Sequence, residues 1–148
     1  NKNIPLIVKC FIDPTLLGTL IHNNSIQNLP PIIVLKEKQV MLKVTTKDFS
    51  FVGDHEVRRL YQLCEALHRK PNLTQIGAIN VTWVLDYWPE KIEKLALQAS
   101  EFLNVEATKE LSLLTIRHYT KEKFEELTKE KTIILRQQTT DTIQVLMK

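Results

Sequence analysis

The chain has 148 residues, of which 43% are hydrophobic and 25% are charged. These values are typical of a globular protein and exclude a disordered chain or a collagen-like fibre. The 20 basic and 17 acidic side chains leave a formal net charge of +3, which is too small and too dispersed to indicate a nucleic-acid partner. No apolar run approaches the roughly 20 residues of a membrane helix, and no signal peptide is recognisable, so the sequence predicts a soluble, cytoplasmic protein with no membrane partner.

The N-terminal part predicts two short strands followed by a linker. Apolar and β-branched residues favour a strand over residues 4–11, Asp13 and Pro14 mark a turn, and residues 19–21 form a second strand. Residues 22–31 are rich in Asn, Ser, Gln and Pro, which is typical of an exposed linker. The chain begins without methionine and enters an apolar run at once, as expected of a piece of a longer polypeptide.

The middle of the chain predicts the order strand, helix, strand, strand, helix. The first helix carries apolar residues at i, i+3, i+4 and i+7, and Pro71 ends it, because proline disfavours helical geometry at the residue before it. Proline and an acid open the second helix. The predicted elements are a strand at 32–46, a helix at 53–70, strands at 73–76 and 81–87, and a helix from Pro89 to Leu103.

The C-terminal part repeats this plan in a shorter form. Strands are predicted at 111–116, 133–135 and 142–147, and Thr120 caps a short helix between the first two. The repeat stops at Lys148 without a final helix and strand. The sequence therefore predicts two related α+β units in tandem, the second of them truncated.

No pattern of catalytic or metal-ligating residues is recognisable. The four histidines are isolated, the three glycines form no phosphate loop, and no serine has a base at a recognisable spacing. Cys10 and Cys64 are predicted to be buried as small hydrophobic residues. We therefore predict no catalytic site, no metal and no cofactor in this chain.

Two features of the sequence admit a ligand as an alternative to ordinary structure. Trp83 and Tyr87 share a strand face, as in an RNA-binding sheet, but the basic and aromatic signature of that module is missing, so core packing is favoured. The loop that leads to Gly53 is of more interest, because the backbone N–H groups at a helix N-terminus can hold the carboxylate of a small ligand. The alternative is an ordinary helix start without a ligand.

The sequence resembles the aspartokinases, in which a catalytic domain precedes two ACT domains. The similarity rests on residues 4–8, 13–14 and 18–21 for the end of the catalytic domain, on 53–67, 72–76 and 80–86 for the first ACT domain, and on 111–119 and 133–147 for the second. The resemblance implies tandem ferredoxin-like βαββαβ domains, with antiparallel sheets and helices on one face. It divides the chain into the end of a catalytic domain (1–22), a linker (23–31), a first ACT domain (32–106) and a shortened second one (107–148).

The implied function is regulatory. Aspartate kinase uses ATP and Mg²⁺ to phosphorylate the side-chain carboxylate of aspartate, the first step towards lysine, threonine and methionine, and this chain would lack its catalytic machinery. The resemblance implies a homodimer through the ACT sheets, contact with the kinase domain of the same polypeptide, and an amino-acid effector such as lysine or threonine. A module for assembly alone, without an effector, is the alternative.

The resemblance also implies the residues of the effector site. Backbone N–H groups of the loop would meet the effector carboxylate, and polar groups of the following strand would meet its ammonium group. Lysine-sensitive members usually carry an aspartate at the position of Asn72, and its loss removes a charge-assisted hydrogen bond worth about 1.5–3 kcal/mol. The implied site consists of Ser50, Phe51, Val52, Gly53 and Asp54, with Asn72, Gln75 and Ile76 opposite.

Overall fold

A computed structural model describes residues 4–21, 29–48 and 50–148. The chain separates into two compact units, Asn1–Pro30 and Pro31–Lys148. The division between them falls at the end of the predicted linker, most of which lies outside the described residues.

The first unit contains an antiparallel pair of short strands. Strand β1 (Leu6–Val8) pairs with β2 (Thr19–Ile21). Gly18 before β2 has a φ of +74°, and a Cβ there would lie 2.5 Å from the carbonyl oxygen of Val8, so the turn requires glycine. The predicted strand at 4–11 is thus shorter than expected. Cys10 lies beyond β1 and is exposed, so its predicted burial was wrong, because no second layer covers this hairpin within the described unit.

The second unit combines one antiparallel sheet with helices. In the described part of this unit the sheet has six strands, in the order β4-β5-β3-β6-β8-β7, and three helices accompany it. None of the described helices is long and apolar enough to cross a membrane. The elements are β3 (Ile32–Thr46), α1 (Asp54–Ala66), β4 (Leu73–Ile76), β5 (Asn80–Asp86), α2 (Pro89–Ser100), β6 (Leu103–Arg117), α3 (Lys121–Thr128), β7 (Ile133–Gln138) and β8 (Thr142–Met147).

Strand β6 is the main difference from the prediction. It is 15 residues long, whereas the sequence predicted a strand only from Leu111 and placed Leu103 on a helix face. The residues before Leu111 include alanine, lysine and two glutamates, which have low β propensity. Pairing with β3, from Thr46 opposite Leu103 to Met41 opposite Thr108, imposes the extended conformation that local propensity does not indicate.

Strands β3 and β6 both extend along the full length of the sheet, and both contain a bulge. Lys38 and Glu110 have positive φ angles of 52° and 60°, and the register of the pair shifts beside each of them. One extra residue reverses the alternation of side chains along a strand. The residues under α3 therefore lie on the same face of the sheet as those under α1 and α2, which confirms the predicted α+β arrangement with helices on one face.

The bulges divide the sheet into two similar halves. The first half of the sheet contains β4, β5, Gln39–Thr46 of β3 and the β6 residues before Glu110, with α1 and α2. The second half contains β7, β8, the β6 residues after Glu110 and Ile32–Lys36 of β3, with α3. The early part of β3 thus fills the strand position that the sequence left empty, so the second half lacks only a second helix. The predicted boundary at 106/107 falls inside β6, and the assignment of the ACT domains by sequence range stays a prediction.

Three apolar clusters hold the sheet and the helices together. One lies under α1 and α2 and includes Trp83, which is only 1% exposed, so Trp83 packs in the core instead of forming a stacking platform. A second lies under α3, and a third joins both halves on the face without helices. The members of this shared cluster are Leu73, Val84, Leu111, Leu113 and Leu146, with Met41 and Leu135 packed against them.

Candidate functional site

The loop before α1 is closed by hydrogen bonds within the chain. The backbone N–H of Val52 donates to the carbonyl oxygen of Ala78 at 2.8 Å. The N–H of Gly53 donates to the carboxylate of Glu56 at 3.0 Å, so the third residue of the helix reaches back to its start. Two of the N–H groups that the sequence assigned to a ligand carboxylate are therefore already engaged.

Carboxylates of the chain occupy both ends of this loop. Asp48 accepts hydrogen bonds from the hydroxyl and the backbone N–H of Ser50, at 2.7 and 3.1 Å, and these bonds lower the pKa of Asp48. Hydrogen bonds to its own backbone N–H, to His55 and to Gly53 lower the pKa of Glu56. A ligand carboxylate entering this loop would meet two negative charges and would have to displace one of them.

The strand residues of the predicted site lie at opposite ends of β4. Ile76 is next to the turn whose Ala78 contacts Val52, so the structure brings Ile76 and the loop together. Gln75 is exposed beside it, and Phe51 is 81% exposed. Asn72 precedes β4, and four residues at about 3.3 Å each place it roughly 13 Å from Ile76.

Asn72 belongs to a polar network instead. Its backbone N–H donates to Val84 O at 2.7 Å, and its side-chain NH₂ donates to Gln39 and to Asp86, each at 2.9 Å. Its side-chain oxygen accepts a hydrogen bond from the ammonium group of Lys36 at 2.7 Å. Gln39 is 1% exposed and donates to Asp86 at 2.9 Å. Every polar atom of the Asn72 side chain therefore has a partner in the chain.

The network also sets the charge state of Asp86. Hydrogen bonds from Gln39 and from Asn72, together with the positive charge of Lys36, hold the pKa of Asp86 below its usual range. The network connects β3 and β5 next to the bulge at Lys38, where the two halves of the sheet meet. It acts as a structural clamp at this junction.

The second half of the sheet has a cavity beside α3. A cavity of about 310 Å³ lies between the start of α3 and β7, and its lining residues are Tyr119, Lys121, Phe124, Glu125 and Arg136. The guanidinium group of Arg136 lies 5.1 Å from the centre of the Phe124 ring. Gln138 accepts a hydrogen bond from Arg136 and donates one to the Tyr119 hydroxyl, which fixes the wall of the cavity.

Sequence reasoning did not select the cavity residues or the partners of Asn72. The repeat of the strand and helix plan was the available signal for the cavity, because it places the residues before α3 where the loop lies before α1. The signal for the network was Gln39, a polar residue at the start of an alternating apolar row. Its partners come from β5 and from the residue before β4, so no local pattern indicates them.

Comparisons with known proteins identify the fold. No protein-family model and no curated protein sequence matches the chain. Among solved structures, a C-terminal regulatory domain of aspartate kinase from Porphyromonas gingivalis W83 is 15% identical, with a TM-score of 0.66 over 82% of this chain and 88% of that one. The fold is that of an aspartate kinase regulatory region.

Full-length enzymes of this kind match even more of the chain. The aspartate kinase of Clostridium acetobutylicum is 15% identical, with a TM-score of 0.74, and the match covers 99% of this chain and 38% of the enzyme. Aspartokinase III of Escherichia coli, in complex with lysine and aspartate, is 15% identical, with a TM-score of 0.66 over 97% of this chain and 35% of the enzyme. The chain thus spans little more than a third of these aspartate kinases.

Proposed function

We propose that the chain is the regulatory ACT region of an aspartate kinase. The observation that carries this proposal is the extent of the structural match. Full-length kinases correspond to 97–99% of the chain, whereas the regulatory domain from P. gingivalis corresponds to 82%. The remaining fifth is about the size of the Asn1–Pro30 unit, which supports assigning β1 and β2 to the end of the catalytic domain.

In this proposal the chain has no catalytic role of its own. The kinase domain of the same polypeptide binds ATP and Mg²⁺ and phosphorylates aspartate in the cytoplasm, while this region adjusts its activity. An effector changes activity only if it binds two states of the enzyme with different affinities, because equal affinity shifts no equilibrium. Lysine and threonine are the proposed effectors, and the lysine complex of E. coli aspartokinase III supports this class of ligand.

Calorimetric titration of the chain with lysine, threonine and methionine tests the effector role. We expect saturable binding of at least one of them, because a regulatory region has to respond to amino-acid concentration. The absence of heat from all three up to millimolar concentration would rule out the effector role for this chain. A circular dichroism spectrum of the same sample controls for folding.

Assembly is a second function, favoured by one exposed edge of the sheet. Ile32, Ile33, Val34 and Leu35 are 40–52% exposed, and in the described chain they pair only with β6 on one side. The equivalent edge of β6, residues 104–110, carries Glu106, Lys109 and Glu110, which discourage pairing with another strand. An apolar strand with an unpaired edge instead favours strand addition between two copies.

Sedimentation with and without amino acid separates the two functions. A module for assembly alone gives a dimer that does not depend on ligand. Val34→Lys should convert this dimer to monomer, because it places a charge in the paired edge, whereas Thr108→Lys on the charged edge serves as the matched control. Equal sedimentation of both variants and the wild-type chain would contradict pairing through the Ile32–Leu35 edge.

A further inference from the structure

We propose that the C-terminal end of α1 carries a site for a small organic anion, in which Arg69 binds the carboxylate or phosphate group of the ligand. The site is a cavity of about 420 Å³ beside the last turn of the helix. It lies at the opposite end of α1 from the loop before Gly53, and its ligand is of a class that the proposed function does not include. The lining residues that carry the argument are Tyr61, Cys64, Glu65, Arg69, Lys70 and Pro71.

The way in which α1 ends fixes the position of Arg69. The backbone N–H of Arg69 donates to the carbonyl oxygen of Cys64 at 2.8 Å. The N–H of His68 donates to the carbonyl oxygen of Glu65 at 2.9 Å, and His68 has a φ of 51°. These two bonds and the left-handed residue between them form a Schellman motif. Arg69 is therefore held beside the last turn of the helix by its own backbone.

The guanidinium group of Arg69 has a donor without an acceptor. Its Nε atom is buried and makes no hydrogen bond within the part of the chain that the structure describes. The group lies 5.1 Å from the centre of the Trp88 ring, which offers a cation–π contact but no oxygen. Buried polar groups without a partner are rare in native proteins, and a bound ion or molecule is one of their ordinary explanations. A guanidinium group matches carboxylate and phosphate oxygens best, so an oxyanion is the partner that fits.

The charges around the cavity favour an anion over a zwitterion. Lys70 brings a second positive charge to the lining, whereas Glu65 is the acidic residue in it. Glu65 is exposed and can turn towards solvent. The nearby carboxylate of Asp86 is held in the clamp and is not an acceptor for the Nε of Arg69. An ammonium group on the ligand would meet the two cations, which disfavours a free amino acid here.

The carbonyl groups at the end of α1 do not oppose an anion. Free carbonyl groups make the C-terminal end of a helix negative and would repel one. Here the carbonyl oxygens of Cys64 and Glu65 accept the backbone N–H groups of the Schellman motif. The carbonyl oxygen of Leu67 accepts a hydrogen bond from the ammonium group of Lys91 at 3.2 Å. The negative end of the helix dipole is therefore already met by donors and by a positive charge.

The remaining walls suit an apolar body. The Tyr61 ring packs against the buried Trp83, with 5.1 Å between the ring centres. Burial raises the pKa of the Cys64 thiol to about 11, so Cys64 contributes a neutral surface to the cavity. A volume of about 420 Å³ lies within the roughly 300–1,000 Å³ of ligand pockets and far exceeds that of an inorganic ion. The ligand class that fits is therefore a small apolar molecule with one carboxylate or phosphate group.

Calorimetric titration of the whole chain with benzoate and with phenyl phosphate tests the ligand class. We expect saturable binding of at least one of these probes. Benzamide, which matches benzoate in size but is neutral, should bind about tenfold more weakly or less, because it loses the charge-assisted hydrogen bond to Arg69. Inorganic phosphate lacks the apolar body and should bind more weakly than phenyl phosphate. Equal affinities for inorganic phosphate and phenyl phosphate would contradict an organic ligand.

Matched variants test the position of the site with the probe that binds. Arg69→Gln should weaken binding by about tenfold or more, because it removes the guanidinium group. Glu65→Gln should strengthen binding by about two- to threefold, because it removes a negative charge from the lining. A gain of affinity cannot result from a damaged fold. Arg58→Gln removes the same charge from an exposed position of α1 outside the cavity, and it should bind as the wild-type chain does.

Two results would overturn this inference. One is the absence of binding of both probes to the wild-type chain. The other is equal binding to Arg69→Gln and Arg58→Gln, which would place the anion elsewhere. Circular dichroism spectra of the variants control for folding. The titrations with lysine, threonine and methionine test the proposed function independently, so either conclusion can fail without the other.

Discussion

The two halves of the sheet share one plan but differ at the start of the helix that follows the long strand. In α1 the third residue is Glu56, whose carboxylate accepts the N–H of Gly53 and closes the loop. In α3 the third residue is Lys123, and the Thr120 hydroxyl accepts its N–H instead. In both halves a backbone N–H of the loop before the helix also donates to a carbonyl oxygen of the neighbouring turn, from Val52 to Ala78 and from Tyr119 to Asp141. The two halves therefore repeat the closed loop but not the residue that caps the helix.

The largest expected effect concerns the cluster that joins the two halves. Leu146 is fully buried in it, together with Val84 of the first half. Leu146→Ala should lower the free energy of unfolding by about 2–5 kcal/mol, because the cavity it leaves can collapse only partly. Tryptophan fluorescence reports the unfolding of the first half, because both tryptophans lie in it, whereas circular dichroism reports the secondary structure of both halves. If the halves unfold together, urea denaturation should give the same transition by both probes.

Leu127→Ala is the control for this experiment, because Leu127 of α3 is only partly buried and its truncation should cost less. If fluorescence and circular dichroism gave separate transitions for the wild-type chain, the first half would be shown to unfold independently of the second. The shared cluster would then not couple them.

The clamp at the junction gives the next largest effect. Asn72→Ala removes a hydrogen-bond partner from the buried Gln39 and from Asp86, and we expect a loss of about 1–3 kcal/mol in the free energy of unfolding. Gln75→Ala, at an exposed position of β4, the strand that follows Asn72, should change it by less than about 0.5 kcal/mol. Equal stability of the two variants in urea denaturation would show that Asn72 is not part of a structural clamp.

The helix starts should respond differently to the loss of a cap. Thr120→Ala should lower the free energy of unfolding by about 1 kcal/mol, because the hydroxyl caps the N–H of Lys123 at 3.2 Å. Gly53→Ala should change it by less than about 0.5 kcal/mol, since Gly53 has a φ of −91° and an added Cβ meets only the flexible Glu56 carboxylate. A larger loss for Gly53→Ala than for Thr120→Ala in thermal unfolding would reverse the comparison.

The smallest expected effect is the loss at acid pH of the stability that Asp86 contributes to the clamp. The folded chain holds the pKa of Asp86 below its unfolded value of about 3.9. Asp86 therefore makes its full contribution to the free energy of unfolding above that pH. This contribution is lost as the pH falls through the folded pKa. Urea midpoints from pH 6 to pH 2 should therefore fall less steeply for Asp86→Asn than for the wild-type chain. Parallel pH profiles would contradict the clamp's effect on Asp86.

The sequence predicted the elements whose pattern is local. The apolar spacing of α1, the proline at the start of α2 and the alternation of β5 each follow from one short stretch of chain, and the structure confirms the three elements. Helix α1 nevertheless ends at Ala66, several residues before Pro71, and both faces of β5 are buried. The Thr120 cap of α3 is also as predicted. These features depend on neighbours within a few residues, which is the range over which propensity and periodicity act.

Tertiary pairing decided the rest. The extended conformation of residues 103–110 comes from β3, and the strand that completes the second half comes from Ile32–Lys36, some 80 residues earlier in the chain. Asn72 was assigned to a ligand on local grounds, but Gln39, Asp86 and Lys36 engage it from other parts of the chain. The sequence by itself determined the helices and most strands, while long-range contacts determined how the halves interlock and which helix start has a cavity beside it.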